Sequence, residues 1–286
     1  MFPLKDNIPT RRFPILTVLI IVACTVVYFG FEHGGIGLGG KGNERVVQYG
    51  ATPYEITHPG KHCFIPPADS QAARIARAAR SQVLCEGQKL SVLGASARVP
   101  DNVPSRLTKG DPSWWVTAFT AMFMHGGLLH LAGNMLFLWI FGNNIEDSMG
   151  RPRFVLFYLL GGLAALAAQV AVGPNAAVPT VGASGAIAAV LGGYALLYPR
   201  ARVVTVIFII LFFTILELPA LVVLGLWFVI QLLYGASDLA QPVGTSGGVA
   251  YFAHIGGFVF GLLLIKLFAN RMRDDAGELQ RRIPVY

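Results

Sequence analysis

Charge is what this chain has least of. Asp, Glu, Lys and Arg make up 13% of its 286 residues, where a soluble domain carries about a quarter. That shortage excludes an ordinary water-soluble globule. With a hydrophobic fraction of 54% and a mean hydropathy of +0.59, the chain calls for a bilayer as its solvent. The net charge of +7 raises the question of nucleic acid. However, the basic residues flank apolar runs or fill one long hydrophilic stretch, with no basic stripe interleaved with aromatics, so nucleic acid is not an expected partner. Cysteine is scarce too, with three residues. There is no CxxC and no Cys/His cluster of metal-ligand spacing, so neither a metal nor another cofactor is expected. HExxH is absent, which argues against a metalloprotease. No internal repeat is visible.

What is there is a series of apolar runs. Residues 13–31 follow a short polar start containing Lys5, Arg11 and Arg12, and they are long enough to span a hydrocarbon core of about 30 Å. A cleaved signal peptide competes with a retained helix for this run. Its length exceeds a signal core of about 7–15 residues and no small-x-small site closes it, so a retained first helix is the preferred reading. The tetrad Ile21-Val22-Ala23-Cys24 loosely matches a lipoprotein signal, a match that arises easily by chance in apolar runs. Cys24 itself reads as a small buried hydrophobe.

Residues 33–112 are different material, rich in Gly, Pro and charge. Within them, residues 72–83 predict a short amphipathic helix with Arg74, Arg77 and Arg80 on one face, either a solvated face or a lipid-headgroup contact. From Trp114 onward the expected helices cover 128–141, 154–172, 184–198, 219–234 and 251–269. The run 203–216 is apolar and β-branched but short. It is read as the approach to the fifth helix, with an extra short helix as the alternative. The expected fold is therefore an all-α polytopic membrane protein, a six-helix bundle with a large extracytoplasmic loop between helices 1 and 2. The expected division is 1–32 for the N-terminus and first helix, 33–112 for the loop or subdomain, 113–270 for the membrane core and 271–286 for a tail. Lys and Arg concentrate at the N-terminus, at Arg151 and Arg153, at Arg200 and Arg202, and in the tail, while the short loops 173–182 and 235–250 have none. By the positive-inside rule both termini are cytoplasmic. The long loop is then outside, where a Cys63–Cys85 disulfide fits.

Polar residues inside apolar spans are functional candidates by default. Ser184, in Gly182-Ala183-Ser184-Gly185, opens an apolar helix whose free N–H groups could hold an oxyanion. A plain N-cap explains it equally well. His254 begins the last helix, and seven positions on, Gly261 completes a Gly257/Gly261 close-packing face on the same side. That places His254 towards the Ser184 helix as a base, or leaves it a structural histidine. His130 and Asn134 share a helix face at i, i+4 and would either stabilise an oxyanion or join helices. His125 falls five residues earlier, in the preceding loop.

The combination is more specific than its parts. The run from His125-Gly-Gly-Leu-Leu-His130-Leu-Ala-Gly-Asn134, then Gly182-Ala-Ser184-Gly185, then Ala-His254-Ile-Gly-Gly257-Phe-Val-Phe-Gly261 resembles the rhomboid family of intramembrane serine proteases over residues 114–270. The resemblance implies a Ser184 nucleophile and a His254 general base without an acidic third member. It implies an oxyanion hole of His130, Asn134 and the Ser184 N–H, with His125, Gly182, Gly185, Gly257 and Gly261 in support. It also implies transmembrane protein substrates cut near small residues, with access past helix five beside Trp227 and Phe228. Two positions depart from the pattern: Val116-Thr117 replaces a frequent Trp-Arg, and Ala188 stands where an aromatic residue often packs on the catalytic histidine. An integral protein of a bacterial inner membrane is expected. The rivals are a catalytically inactive rhomboid-like client binder, a transporter or channel, and a membrane haem protein using paired histidines.

Overall fold

The computed structural model describes residues 2–32, 42–79, 81–92, 95–101, 110–209, 212–239 and 249–270. The tail 271–286 and Arg80 of the arginine face lie outside the described residues. Among the described residues, five helical segments are long and apolar enough to cross a membrane. The first is α1 (Ile15–Val26), which continues through a wide turn to Glu32. The second runs through α6 (Leu128–Phe137), a wide turn at Leu138–Gly142 and α7 (Asn143–Met149). The others are α8 (Arg151–Val172), α10 (Ala220–Leu239) and α11 (Tyr251–Phe268). A sixth apolar helix, α9 (Ser184–Leu197), has only 14 residues.

The second span outruns its expected end at residue 141. Asn144, Glu146 and Asp147 look like a loop, but each has a partner on the N-terminal segment. Glu146 takes hydrogen bonds from the N–H groups of Leu16 and Thr17 at 3.1 and 2.8 Å, which satisfies donors that the start of α1 leaves open. Asp147 accepts the Arg11 N–H, and Asn144 donates to the buried Asp6 carboxylate, which also accepts the Tyr194 hydroxyl.

Helix α9 is the centre of the bundle. Almost every residue from Gly185 to Leu197 is buried, so the helix is apolar all round rather than amphipathic. It lies between α8 and α11 at a distance only glycine allows. A Cβ on Gly257 or Gly261 would run into the carbonyl oxygens of Gly185 or Ala189, and one on Gly192 into that of Phe258. Removing side chains from both surfaces lets the backbones touch, which is how helices associate where apolar burial gives no preference over lipid.

The run 203–216 is neither helix nor approach segment. It forms a hairpin of β6 (Arg202–Ile209) and β7 (Phe212–Pro219), and β6 also pairs antiparallel with β1 (Phe2–Asp6), in the order β1-β6-β7. Its Val and Ile residues favour the pleated backbone, and the partner strand lies some 200 positions away in sequence, out of reach of local pattern reading. The helical membrane bundle stands as expected, with this small sheet added at the end where α1 begins.

Between α1 and the short helix α5 (Trp114–Thr120), the described residues form α2 (Gly42–Tyr49), α3 (Pro53–Thr57), β2 (Cys63–Phe64), α4 (Gln71–Ala78), β3 (Leu84–Cys85) and the hairpin β4 (Lys89–Val92) and β5 (Ala95–Arg98). Cys63 pairs opposite Cys85 across β2 and β3, and the two are joined by a disulfide. Helix α4 begins at a Ser70 cap whose Oγ accepts the Ala73 N–H at 3.0 Å. It stops at Ala78, short of the expected residue 83, and the chain enters the strand pair at Leu84.

Candidate active site

Ser184 is the first residue of α9. The turn before it is fixed by Gly182, which has φ +125°, and by its N–H, which donates to Ala121 O at 2.8 Å. A methyl on Gly182 would lie 2.8 Å from both Cε1 and Nε2 of His130 and 3.5 Å from Ser184 Oγ. Glycine is needed here twice over: the backbone conformation is one L side chains rarely adopt, and the His130 ring fills the space a side chain would use.

His254 lies in the first turn of α11. Its Nε2 is 2.8 Å from Ser184 Oγ, and its Nδ1 is 2.8 Å from Gln231 Oε1 on α10. The Trp227 ring stands beside it, with centroids 5.7 Å apart and planes tilted by 39°. Ala188, the position where an aromatic was missed, is instead buried against Gly257. The aromatic neighbour of the histidine thus comes from α10. Phe228 does not accompany Trp227 at the dyad: it stacks on Phe258, centroids 4.4 Å apart. Gln169 Oε1 accepts the Ala253 N–H at 3.2 Å, which holds the start of α11 to α8.

Ser184, His254, His130 and Asn134 all line one cavity of about 1150 Å³. His130 is exposed to it. Asn134 is buried, and its Nδ2 has no hydrogen-bond partner among the described residues. A buried amide donor without an acceptor is costly, so a cavity oxygen is its natural complement. His125 is fully buried in the loop between α5 and α6 and packs edge-on against His130, centroids 5.3 Å apart. It supports that ring from behind. The loop is pinned by the buried Glu32, whose carboxylate accepts the His125 N–H at 3.0 Å. Trp114 and Trp115 are exposed, and neither is among the described residues that line the cavity.

The sequence reading missed Gln231, Gln169 and Glu32. A signal existed for each: a lone polar residue within or at the end of an apolar span. Among the described residues, no group of three His, Cys, Asp or Glu gathers to hold a metal ion.

The segment between α1 and α5 reaches this cavity, where Lys89 and Leu90 form part of its wall. It also grips residues 173–181, the stretch leading into Ser184. Ala51 and Thr180 exchange backbone hydrogen bonds at 3.1 and 2.8 Å, Tyr54 N–H donates to Ala176 O at 3.1 Å, and Gln88 Nε2 to Asn175 O at 3.3 Å.

A family model described as Rhomboid domain matches residues 112–271. RHOMBOID-like protein 4 of Arabidopsis thaliana is 32% identical over 178 residues, covering 62% of this chain and 39% of that protein. Rhomboid protein 1, mitochondrial, of Saccharomyces cerevisiae is 29% identical over 159 residues, 52% of this chain and 40% of its own length. Rhomboid protease GluP of Bacillus subtilis is 42% identical over 85 residues, 30% of this chain and 16% of its own. The matched regions span less than half the length of these curated relatives.

Proposed function

The chain belongs to the rhomboid family, and from that premise we propose that it is an intramembrane serine endopeptidase working through Ser184 and His254. The observation that carries this reading is the 2.8 Å contact between Ser184 Oγ and His254 Nε2 on the wall of a large cavity. A hydroxyl within hydrogen-bond reach of an imidazole nitrogen is the arrangement that activates a serine.

In the proposed reaction, His254 Nε2 takes the Ser184 proton as Oγ attacks a peptide carbonyl carbon. The negative oxygen is met by donors from His130, Asn134 Nδ2 and the Ser184 N–H at the open start of α9. When the C–N bond breaks, the proton passes from His254 to the leaving amine, and an ester links the new carboxyl end to Ser184. Water, deprotonated by His254, then hydrolyses that ester. His125, Gly182, Gly185, Gly257 and Gly261 hold the parts at these distances.

The substrate class is transmembrane segments of other proteins. At about 1.5 Å per residue, the 14 residues of α9 reach roughly 20 Å, short of a hydrocarbon layer of about 30 Å. On this reading Ser184 lies beneath the membrane face and is wetted through the cavity, and the short helix is consistent with that depth. The distribution of Lys and Arg supports cytoplasmic termini, and the bacterial plasma membrane is part of the same proposal. The disulfide between Cys63 and Cys85 suits an extracytoplasmic subdomain at 33–112, ahead of a catalytic membrane core at 113–270.

The test is cleavage of a model transmembrane substrate in liposomes. Wild type should cut, and Ser184→Ala and His254→Ala should each lose about 1000-fold or more in turnover. Client binding without cleavage in the wild type would instead mark an inactive binder, and equal cutting by all three proteins would place the chemistry elsewhere.

A further inference from the structure

Resting on the protease reading, we infer that Gln231 is a positioning residue that fixes the tautomer of His254, so that the pair acts as a Ser–His–Gln line.

A histidine can take the serine proton only if Nε2 is bare, which in the neutral ring requires the hydrogen on Nδ1. A dyad alone does not specify this, because an imidazole with its hydrogen on Nε2 fits the same space. Here Nδ1 faces Gln231 Oε1 at 2.8 Å. The orientation of the amide is set by its other end. Gln231 Nε2 donates to Trp227 O one turn back on α10, at 3.4 Å. Turning the amide over would set its oxygen against that carbonyl, two acceptors face to face. The oxygen therefore points at His254, Nδ1–H donates to it, and Nε2 is left as the acceptor for the Ser184 hydroxyl.

The choice of an amide follows from the depth of the site. Gln231 is buried in an apolar stretch of α10, where an ionised carboxylate would carry a large desolvation cost. A neutral amide provides the acceptor without the charge. Around His254, Ser184 faces it from α9 and Gln231 and Trp227 from α10. Among the described residues, His130, Asp238 and Lys89 are the other titratable side chains that line the same cavity, and they bear on its pH profile.

Gln231 also joins α10 to α11, and an amide serving only as interhelical glue would make different predictions. The experiment measures kcat, KM and the pH dependence of kcat/KM in liposomes for wild type, Gln231→Leu and Gln231→Glu, with thermal unfolding of each. The expected result is a kcat roughly 10- to 100-fold lower in Gln231→Leu, with KM little changed. Gln231→Glu, which restores an acceptor, should recover most of kcat and move the acid limb to higher pH, since a carboxylate favours the imidazolium. If Gln231→Leu melts earlier yet keeps wild-type kcat, or Gln231→Glu leaves the acid limb in place, the amide is glue and the inference is overturned. If Gln231→Leu does not fold, the Gln231→Glu acid limb decides alone. A wild type that cuts nothing and leaves a fluorophosphonate unreacted overturns the protease reading and this inference together. An active wild type with an indifferent Gln231 overturns only the inference.

Discussion

The helices behind Ser184 and the segment in front of it are held by different forces. Behind, α9 and α11 meet backbone to backbone through Gly185, Gly192, Gly257 and Gly261, and α8 closes on them through Gly161 and Ala165; the polar contacts among the three lie near their ends, at Ser184–His254, Gln169–Ala253 and Arg153–Phe268. In front, the α1–α5 segment has two small clusters, one around Val47, Tyr54 and Cys63, the other around Phe64, Ala76 and Leu84. A disulfide and hydrogen bonds to residues 173–181 supply the rest. Ala177, from that stretch, is part of the first cluster, so the segment and the approach to Ser184 share a core. Steric fit sets one side of the site, and covalent and polar bonds set the other. The first should respond to side-chain volume, the second to redox conditions and pH.

The largest expected effect is on the steric side. Gly261→Val adds atoms where a single Cβ already collides with Ala189 O. It should cost about 3 kcal/mol or more, read as loss of folded protein or a sharply lowered unfolding midpoint in detergent. A well-folded, active Gly261→Val would show that the trio is not closely packed.

Breaking the disulfide should have the next largest effect. Removing a crosslink with a sequence separation of 22 costs roughly 3 kcal/mol, and a paired Cys63→Ser and Cys85→Ser variant should confine that loss to the front. Hydrogen exchange should quicken across the α1–α5 segment and at Thr180 and Ala176, while amides of α9 and α11 keep their protection. Equal loss in α9 would erase the distinction between the two sides.

The smallest effect is a pH dependence. Burial raises the Glu55 carboxyl from 4.5 to about 7, opposed by the Cys63 N–H it accepts at 2.7 Å and assisted by Asp111. The folded state holds this proton more tightly than the unfolded chain does. Its stabilising contribution is therefore complete below pH 4.5 and is lost as pH rises through about 7. Exchange in the front segment should accelerate over that window, and Glu55→Gln should flatten the change.

The apolar spans were legible from composition, and Ser184, His254, His130 and Asn134 drew notice because membrane depth makes polar residues conspicuous, though only the family resemblance joined them into one site. The close packing of Gly257 and Gly261 was legible from their spacing. The hairpin of β6 and β7 was not, since its β-branched run suits either a strand or a buried helix until β1 is seen beside it. The extension of the second span to Met149 was hidden because Asn144, Glu146 and Asp147 resemble a loop without their N-terminal partners. Gln231 stood in plain view as the lone amide of α10, but its meaning depends on a contact between residues 23 apart that periodicity does not reveal.

The most direct test of the central claim is mass-spectrometric mapping of a fluorophosphonate adduct on the full-length protein in liposomes, followed over time. The expected result is a single adduct on Ser184 in wild type, forming about 1000-fold more slowly in His254→Ala and absent from Ser184→Ala. An adduct on another residue, or one on Ser184 that forms as fast without His254, would contradict the assignment of this pair as nucleophile and base.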